Sequence, residues 1–371
     1  MNSALRSTDV FIVGGGPAGL AAAIAARLQG FEVAIADCSI APIDKACGEG
    51  IMPDGLAAAR ALGIDIAAEE VYPFRGIRFC EDGVSVEANF PRGAGAGLRR
   101  TALHSILARR AAAAGVHMFW GARVDGITDE GVILSGQVVR ALWIVGADGG
   151  ESRVRHWAGL EACSHASHRF GFRRHYMVAP WSDLAEIHWS DGCQLYITPI
   201  GAKQICVALI SCDPRLRLNE ALARFPEPAL RLCDAPYATP ERGGVTAMRR
   251  LKAVCRGRVA LIGDASGSVD AVTGEGLCLL FQQASALAQA LRAEDLSLYQ
   301  AAHRRLGRRP RFMAGLMLLM DRRSRLRRRA MRALASNPSV FARMLAAHVG
   351  ETSPLQLAGT GMALGWRMLT V

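Results

Sequence analysis

The stretch from Asp9 to Asp37, DVFIVGGGPAGLAAAIAARLQGFEVAIAD, contains a short apolar run, a glycine turn, an alanine-rich segment and a second apolar run. This order predicts a strand, a turn, a helix and another strand. Within the GxGxxG pattern, Gly14 makes the tight turn, Gly16 lets a pyrophosphate approach the backbone, and Gly19 lets the helix pack on the strand. Asp37 ends the second run, where an acid can bind a ribose hydroxyl. We therefore expect a dinucleotide site, with a glycine-rich packing loop as the alternative.

The composition is that of a globular protein, with 371 residues of which 51% are hydrophobic and 21% charged. The first predicted strand begins within about ten residues of the N-terminus, which leaves no room for a signal peptide. No apolar run reaches the roughly 20 residues needed to cross a bilayer. Ten cysteines show no metal-ligand spacing, and neither do the nine histidines, so we predict no metal site and mostly reduced, buried cysteines. These features predict a cytoplasmic protein.

The net charge of +11 is concentrated between residues 301 and 332. That segment holds twelve arginines and one acid, Asp321, so its local excess equals that of the whole chain. It also contains an apolar stretch from Phe312 to Met320, and an apolar helix with basic flanks suits the surface of an anionic membrane. The alternatives are a core-packed helix with a solvated flank and an oligomer contact. The scarcity of aromatic residues argues against nucleic acid as a partner.

Two further turns follow apolar runs that read as buried strands. The first follows a run ending at Val145, and the second follows a run ending at Ile262 and continues to the start of a predicted helix. Aspartate beside glycine in such turns can bind hydroxyl groups or cap the next helix. The candidate cofactor-binding residues of these turns are Asp148, Gly149, Gly263, Asp264, Gly274 and Gly276.

Taken together, the three motifs resemble the superfamily of FAD-containing aromatic hydroxylases and geranylgeranyl reductases. The resemblance extends from about Thr8 to Leu291. It implies that the first turn holds the ADP half of FAD, that the second lies near the pyrophosphate and the nicotinamide route, and that Asp264 binds the ribityl chain. Gly274 to Gly276, at the start of the helix predicted from Gly276 to Leu291, would aim N–H donors at the flavin pyrimidine edge.

The same resemblance implies two further cofactor contacts. Arg100 matches a family arginine that begins a helix and reaches the cofactor, although the neighbouring Arg99 leaves the register open by one residue. No second GxGxxG pattern is present, so the resemblance implies that NAD(P)H visits the flavin only transiently.

The loop from Lys45 to Gly50, KACGEG, resembles a cysteine-glycine loop of the reductase branch. Cys47 is therefore a candidate flavin-proximal thiol, or a cysteine that packs under a cofactor. Glu49 is a candidate general acid or an anchor for backbone N–H groups. Gly267 and Ala271 stand where many hydroxylases carry histidine and proline. These departures argue against simple phenol hydroxylation.

The predicted fold class is α/β, with a Rossmann-type FAD-binding domain interrupted by a mainly antiparallel β substrate domain and followed by a helical C-terminal segment. Alternating apolar residues between about 170 and 245 indicate the antiparallel strands. The predicted ranges are 1–75, 100–165 and 250–300 for the FAD-binding domain, 76–99 and 166–249 for the substrate domain, and 301–371 for the basic helical region.

Three functions are compatible with these patterns. The favoured one is an NAD(P)H-using, FAD-dependent monooxygenase of secondary metabolism that hydroxylates a lipophilic or aromatic molecule, polyketide-like or isoprenoid-like. The second is a reductase of isoprenoid double bonds, supported by the Cys47 loop. The third is a non-enzymatic FAD-binding partner protein. A lipophilic substrate would agree with peripheral membrane contact through 301–332.

Overall fold

A computed structural model describes residues 5–66 and 71–351 of the chain. The strands are β1 Ser7–Val13, β2 Val33–Asp37, β3 Gly50–Ile51, β4 Tyr72–Phe74, β5 Gly76–Glu81, β6 Val84–Asn89, β7 Gly95–Gly97, β8 His117–Trp120, β9 Val124–Ile127, β10 Gly131–Leu134, β11 Gln137–Gly146, β12 Cys163–Tyr176, β13 Ala185–Ser190, β14 Cys193–Gly201, β15 Gln204–Ser211, β16 Arg242–Leu251, β17 Cys255–Arg256 and β18 Val259–Leu261. The helices are α1 Pro17–Leu28, α2 Pro53–Ala61, α3 Arg100–Ala113, α4 Arg153–Trp157, α5 Leu218–Leu222, α6 Pro226–Leu232, α7 Gly276–Arg292, α8 Leu296–Leu306, α9 Arg308–Arg322, α10 Ser324–Ser336 and α11 Pro338–His348.

A parallel sheet forms the centre of the cofactor half of the molecule. Its strand order is β17-β18-β11-β1-β2-β8, and β1 pairs in parallel with both β2 and β11. The apolar run of β1 is buried on both faces, which explains its continuous rather than alternating hydrophobicity. β18 returns to this sheet beside β11 after the long β segment. The predicted interruption of a Rossmann-type fold is therefore confirmed.

The interrupting segment builds a seven-stranded sheet with the order β16-β12-β15-β14-β13-β5-β6. Its neighbouring strands are antiparallel except for β13 and β5. The dipeptide Asp82-Gly83, whose sequence predicts a hairpin turn, joins the antiparallel strands β5 and β6. Apolar side chains of β14 and β15, including Leu195 and Leu209, form a second core with residues of α5 and α6. This sheet contributes Arg173 and His175 of β12 and Cys206 of β15 to the buried network described below.

The C-terminal helices pack on the rest of the molecule. α10 and α11 contact β6, and Leu334 and Phe341 belong to the main hydrophobic core. Within α9, Met317 is buried, whereas Phe312 and Leu319 are exposed. The apolar stretch of this helix is thus divided between core packing and solvent. The predicted helical region beyond residue 351 lies outside the described residues.

Arg327 departs from the expectation of a solvated arginine run. Its side chain is 2% exposed and pairs with Glu81 and Asp191, each at 2.7 Å. α10 presents every third or fourth residue to β5 and β6, so one arginine of the run points inward. Arg327 is therefore unavailable to a membrane surface.

The expectation of mostly buried cysteines is wrong. All ten are free thiols, but only three are buried, four are half-buried, and three lie exposed in or beside loops: Cys38, Cys212 and Cys233. Small side chains at the ends of strands and helices need no burial, which explains their positions. Among the described residues, no helix combines the length and hydropathy needed to span a membrane.

Candidate functional site

The first glycine turn joins the end of β1 to the start of α1. Gly14 has a φ of +108°, and a Cβ there would lie 2.4 Å from the carbonyl oxygen of Ala147. A Cβ on Gly19 would lie 1.9 Å from the carbonyl oxygen of Gly14, so only glycine permits this packing. A Cβ on Gly16 would meet open space. The first turn of α1, with its unpaired N–H groups, therefore borders open space, as an anion site requires, and we call the space beside this turn the groove.

Asp37 stands at the end of β2 beside this turn. One carboxylate oxygen accepts the N–H of Gly15 at 2.7 Å, and the other accepts the N–H of Ser39 at 2.7 Å. Asp37 thus holds the glycine turn against the loop that follows β2. Its contact with a ribose hydroxyl stays a prediction.

Asp148 follows β11 and binds the start of α4. Its Oδ2 accepts the N–H groups of Arg153 at 2.7 Å and Val154 at 3.1 Å, and Ser152 Oγ donates to its Oδ1. These are the contacts of a helix-capping aspartate, the alternative raised by the sequence. The adjacent Gly149 has a φ of +84° and open space at its Cβ position, so its backbone can border a ligand.

Asp264 follows β18 and lies half-exposed in the groove. Lys45 Nζ is 2.8 Å from its Oδ2. Desolvation opposes ionisation, but Lys45 and Arg100 outweigh it and hold the pKa of Asp264 below its usual value. A Cβ on the preceding Gly263 would lie 2.6 Å from Ala18 Cβ, so this turn packs directly on the start of α1.

The two candidate arginines have different surroundings. Arg100 is the first residue of α3, and its charge acts on Asp264. Arg99 lines an open cleft together with Pro42, Thr101 and Gln204. The structure therefore brings Arg100 to Asp264, while its contact with a cofactor stays a prediction.

The start of α7 also opens onto space. Gly274 has a φ of +67°, and a Cβ on Gly274 or Gly276 would have no neighbour within 4 Å. Glu275 between them is buried, and desolvation raises the pKa of its carboxyl to about 8, although Arg309 acts in the opposite direction. This turn combines open backbone on one side with a buried acid on the other.

The Lys45–Gly50 loop carries Glu49, which is buried and has a φ of +59°. Its Oε1 accepts the N–H of Arg100 at 2.9 Å, and its Oε2 lies 2.6 Å from His175 Nε2. Both carboxylate oxygens are thus engaged, which favours the anchor over the general acid. The half-buried Cys47 accepts the N–H of Glu49 on its sulfur at 3.4 Å.

Glu49, His175 and Cys206 bring three metal-ligating atoms within 4.8 Å of one another. Arg173 lies 3.8 Å from Glu49 Oε1 and donates to His175 Nδ1 at 3.3 Å, so a fixed positive charge already stands beside the carboxylate. Burial raises the pKa of the Cys206 thiol well above its usual value, which keeps the thiol protonated. These contacts describe a hydrogen-bonded network rather than a metal centre. The absence of a metal stays a prediction.

Sequence reasoning missed several residues of this site, among them His104, whose Nε2 lies 2.9 Å from the carbonyl oxygen of Gly15. It also missed Arg173 and His175 of β12. Alternate residues of a strand share one face, so the spacing of two polar residues at 173 and 175 was a signal that could have indicated the pair. Their partner, Glu49, lies 126 positions from His175, and no local pattern indicates such a pairing.

The residues present fit FAD. Three glycine turns meet at the carboxyl ends of β1, β11 and β18, the edge at which dinucleotides bind in such sheets. With FAD bound, helix N-termini would supply donors for the pyrophosphate, and Asp37 and Asp264 would supply acceptors for hydroxyl groups. Lys45 and Arg100 add positive charge to the same groove.

Three relatives of known activity are similar in sequence. The chain is 25% identical to the menaquinone reductase of Mycobacterium tuberculosis strain H37Rv over 320 residues, 78% of each chain. It is 27% identical to digeranylgeranylglycerophospholipid reductase 2 of Methanosphaera stadtmanae over 293 residues, 73% of this chain and 74% of that one. It is 33% identical to the 6-methylpretetramide 4-monooxygenase of Streptomyces rimosus over 172 residues, 41% of each chain.

The fold is also that of known flavoproteins. A flavoprotein/dehydrogenase structure from Cytophaga hutchinsonii superposes with a TM-score of 0.83 over 98% of both chains, at 16% identity. Residues 7–196, more than half of the chain, match the model of the family described as FAD binding domain. The chain belongs to this FAD binding domain family and is an FAD-dependent oxidoreductase.

Proposed function

We propose that the protein is a reductase that adds hydrogen to a carbon–carbon double bond of an isoprenoid chain carried by a quinone or a lipid. Alignment coverage carries the proposal: the two reductases align with 78% and 73% of this chain, whereas the monooxygenase aligns with 41%. Menaquinone and digeranylgeranyl lipids both carry isoprenoid chains. FAD, when bound, supplies the hydride for such a reduction. This proposal reverses the preference for hydroxylation drawn from the motifs.

Reduction of a carbon–carbon double bond adds a hydride to one carbon and a proton to the other. We propose that the thiol of Cys47 donates this proton. Its loop is fixed at both the cofactor turn and the antiparallel sheet. Lys45 pairs with Asp264 at 2.8 Å, and Asp44 pairs with Arg173 of β12 at 2.5 Å. The thiol therefore lies on a loop that bridges the turn after β18 and the antiparallel sheet.

Hydroxylation is the second candidate, because the highest of the three sequence identities is to the monooxygenase. A mass measurement separates the two. Purified, FAD-loaded protein is incubated with NAD(P)H and menaquinone or a geranylgeranyl lipid, with and without oxygen. The extracted product is first reoxidised in air, because reduction of the quinone ring to a quinol also adds two hydrogens. A product still heavier by two hydrogens, formed without oxygen, supports reduction of the isoprenoid chain. A product heavier by one oxygen atom, formed only in air, supports hydroxylation and overturns our proposal.

We also propose that NAD(P)H delivers the electrons during a transient visit. The chain has no second GxGxxG pattern, and the open cleft beside Arg99 offers a cation and hydroxyl groups to a nucleotide phosphate. Anaerobic mixing with NADH or NADPH should bleach the visible absorbance of bound FAD. If neither bleaches it, another electron donor is required.

Finally, we propose peripheral contact with an anionic membrane through α9 and α10. The exposed stripe of α9 places Phe312 and Leu319 between Arg308 and Arg322. The arginine run continues on α10 and exposes basic side chains there. The one acid of the segment 301–332, Asp321 at the end of α9, is buried and does not offset their charge. Exposed aromatic and aliphatic side chains flanked by arginines suit the interface of an anionic bilayer. The exposed arginines of α10 are Arg325, Arg328, Arg329 and Arg332.

A further inference from the structure

A buried polar cluster lies between the C-terminal helices and the turn at the start of α7. Glu275 and His348 form its centre, with side chains 3% and 7% exposed. Asp54 of α2, Cys278 of α7 and Arg309 of α9 supply the other titratable or charged groups that face Glu275. The cluster therefore joins four helices behind the backbone of the Gly274–Gly276 turn, which we call the flavin turn because the resemblance directs it at the flavin.

The hydrogen bonds fix the tautomer of His348. Its Nε2 lies 3.2 Å from the carbonyl oxygen of Thr273, and a carbonyl only accepts, so Nε2 carries the proton. Nδ1 is then an acceptor, and it faces Oε1 of Glu275 at 3.9 Å. Among the described residues, neither Nδ1 of His348 nor Oε2 of Glu275 has a hydrogen-bond partner. Buried polar groups in this state are usually bridged by ordered water.

The charges of the pair agree with this geometry. Burial raises the pKa of Glu275 to about 8, with Asp54 adding to the shift and Arg309 opposing it. Burial and Arg309 lower the pKa of His348 to about 4. At neutral pH a protonated carboxyl therefore faces a neutral imidazole acceptor, with Cys278 also protonated because burial raises its pKa.

We propose that Glu275 and His348 form a proton-holding pair behind the flavin turn. Because His348 is the last residue of α11, this helix then contributes to the cofactor site. Glu275 lies between two glycines whose backbone borders open space, and His348 binds the carbonyl of the residue before them. The family resemblance directs this turn at the pyrimidine edge of the flavin, so reduction of FAD would add negative charge near the turn. A neutral Glu275 tolerates that charge, whereas an ionised Glu275 opposes it. Above pH 8, reduction should therefore draw one proton from solvent onto the Glu275 carboxylate.

The test measures the two-electron midpoint potential of bound FAD on either side of pH 8, without substrate. In the unmodified protein the potential should fall with pH more steeply above pH 8 than below it. The slope should increase by about 30 mV per pH unit, because one extra proton is taken up per two electrons. Glu275→Gln should retain FAD and lose this steepening, because the amide reproduces only the neutral acid. Glu220→Gln, on the exposed face of α5, should leave it unchanged. Steepening that persists in Glu275→Gln, or is missing from the unmodified protein, would overturn the proposal.

A second variant separates a proton-holding role from a structural one. His348→Gln keeps an N–H donor for Thr273 but removes Nδ1, which faces Oε1 of Glu275 at 3.9 Å. The steepening should then begin at a lower pH, and an unchanged onset would show that His348 only supports the turn. Because the readout needs no substrate, it is independent of whether the enzyme reduces or hydroxylates.

Discussion

His175 and Glu49 form a buried contact between the antiparallel sheet and the loop that borders the cofactor groove. Nε2 of His175 lies 2.6 Å from Oε2 of Glu49, and each side chain is 1% exposed. Arg173 donates to Nδ1 of His175, and a guanidinium cannot accept, so Nε2 carries the proton and donates to the carboxylate. The second carboxylate oxygen accepts the N–H of Arg100. Glu49 thus joins β12, α3 and the Cys47 loop.

Replacing Glu49 with alanine should lower the free energy of unfolding by about 2 to 3 kcal/mol, because it leaves the Nε2–H of His175 and the N–H of Arg100 without their acceptor. Urea denaturation followed by circular dichroism measures the change. Glu87→Ala is the matched control, since the Glu87–Arg78 pair is much more exposed and should contribute about 1 kcal/mol or less. Equal losses in the two variants would contradict an anchoring role for Glu49.

Replacing Asp264 with asparagine should weaken FAD binding about tenfold, or about 1.4 kcal/mol. The carboxylate is ionised at neutral pH because Lys45 and Arg100 lower its pKa, so it is a strong acceptor for hydroxyl groups. Titration of apoprotein with FAD, read by flavin fluorescence, gives the affinity. The exposed Asp129→Asn variant serves as the control. Unchanged affinity in Asp264→Asn would show that the third motif does not contact FAD.

Local patterns in the sequence predicted the cofactor half of the fold well. The apolar run before Gly14, the glycine spacing and the helix that follows are consecutive, so their periodicity can be read directly. The Asp82-Gly83 hairpin and the return of the chain at β18 were likewise predicted from short patterns. Each of these features depends on residues close together along the chain.

The contacts that shape the site could not be read in this way. Lys45 meets Asp264 across 219 positions, and Glu49 meets His175 across 126. Such pairs depend on how two sheets meet, which periodicity does not specify. Arg327 is a similar case, because an arginine run predicts solvation and only the packing of α10 shows which member points inward.

Replacing Cys47 with serine should lower turnover of the isoprenoid substrate at least about tenfold while leaving FAD binding intact, because a hydroxyl is a far weaker acid than a thiol. Product formation by mass spectrometry and flavin content by absorbance report the two effects separately. Cys38→Ser replaces an exposed thiol and should retain full turnover. If Cys47→Ser keeps normal turnover, Cys47 only packs in its loop.

Replacing Arg325, Arg328 and Arg329 with glutamate should release the protein from vesicles that contain anionic lipid. Each arginine near such a surface contributes about 1 kcal/mol, so three reversals should weaken binding at least about 100-fold. Co-sedimentation with phosphatidylglycerol vesicles at low and high salt measures the effect, and added salt should weaken binding of the unmodified protein. Arg327 is left in place because its buried pairs with Glu81 and Asp191 hold α10 on the sheet.

The control for this experiment reverses three exposed arginines outside the basic segment, which changes the net charge equally. If binding depended on net charge alone, both triple variants would lose it to the same extent. Loss confined to the α10 variant would locate the contact on that helix. A further Phe312→Ser variant should weaken binding at high salt, where apolar insertion remains after charges are screened. Binding by all variants alike would contradict membrane contact through this face. The control arginines are Arg60, Arg92 and Arg215.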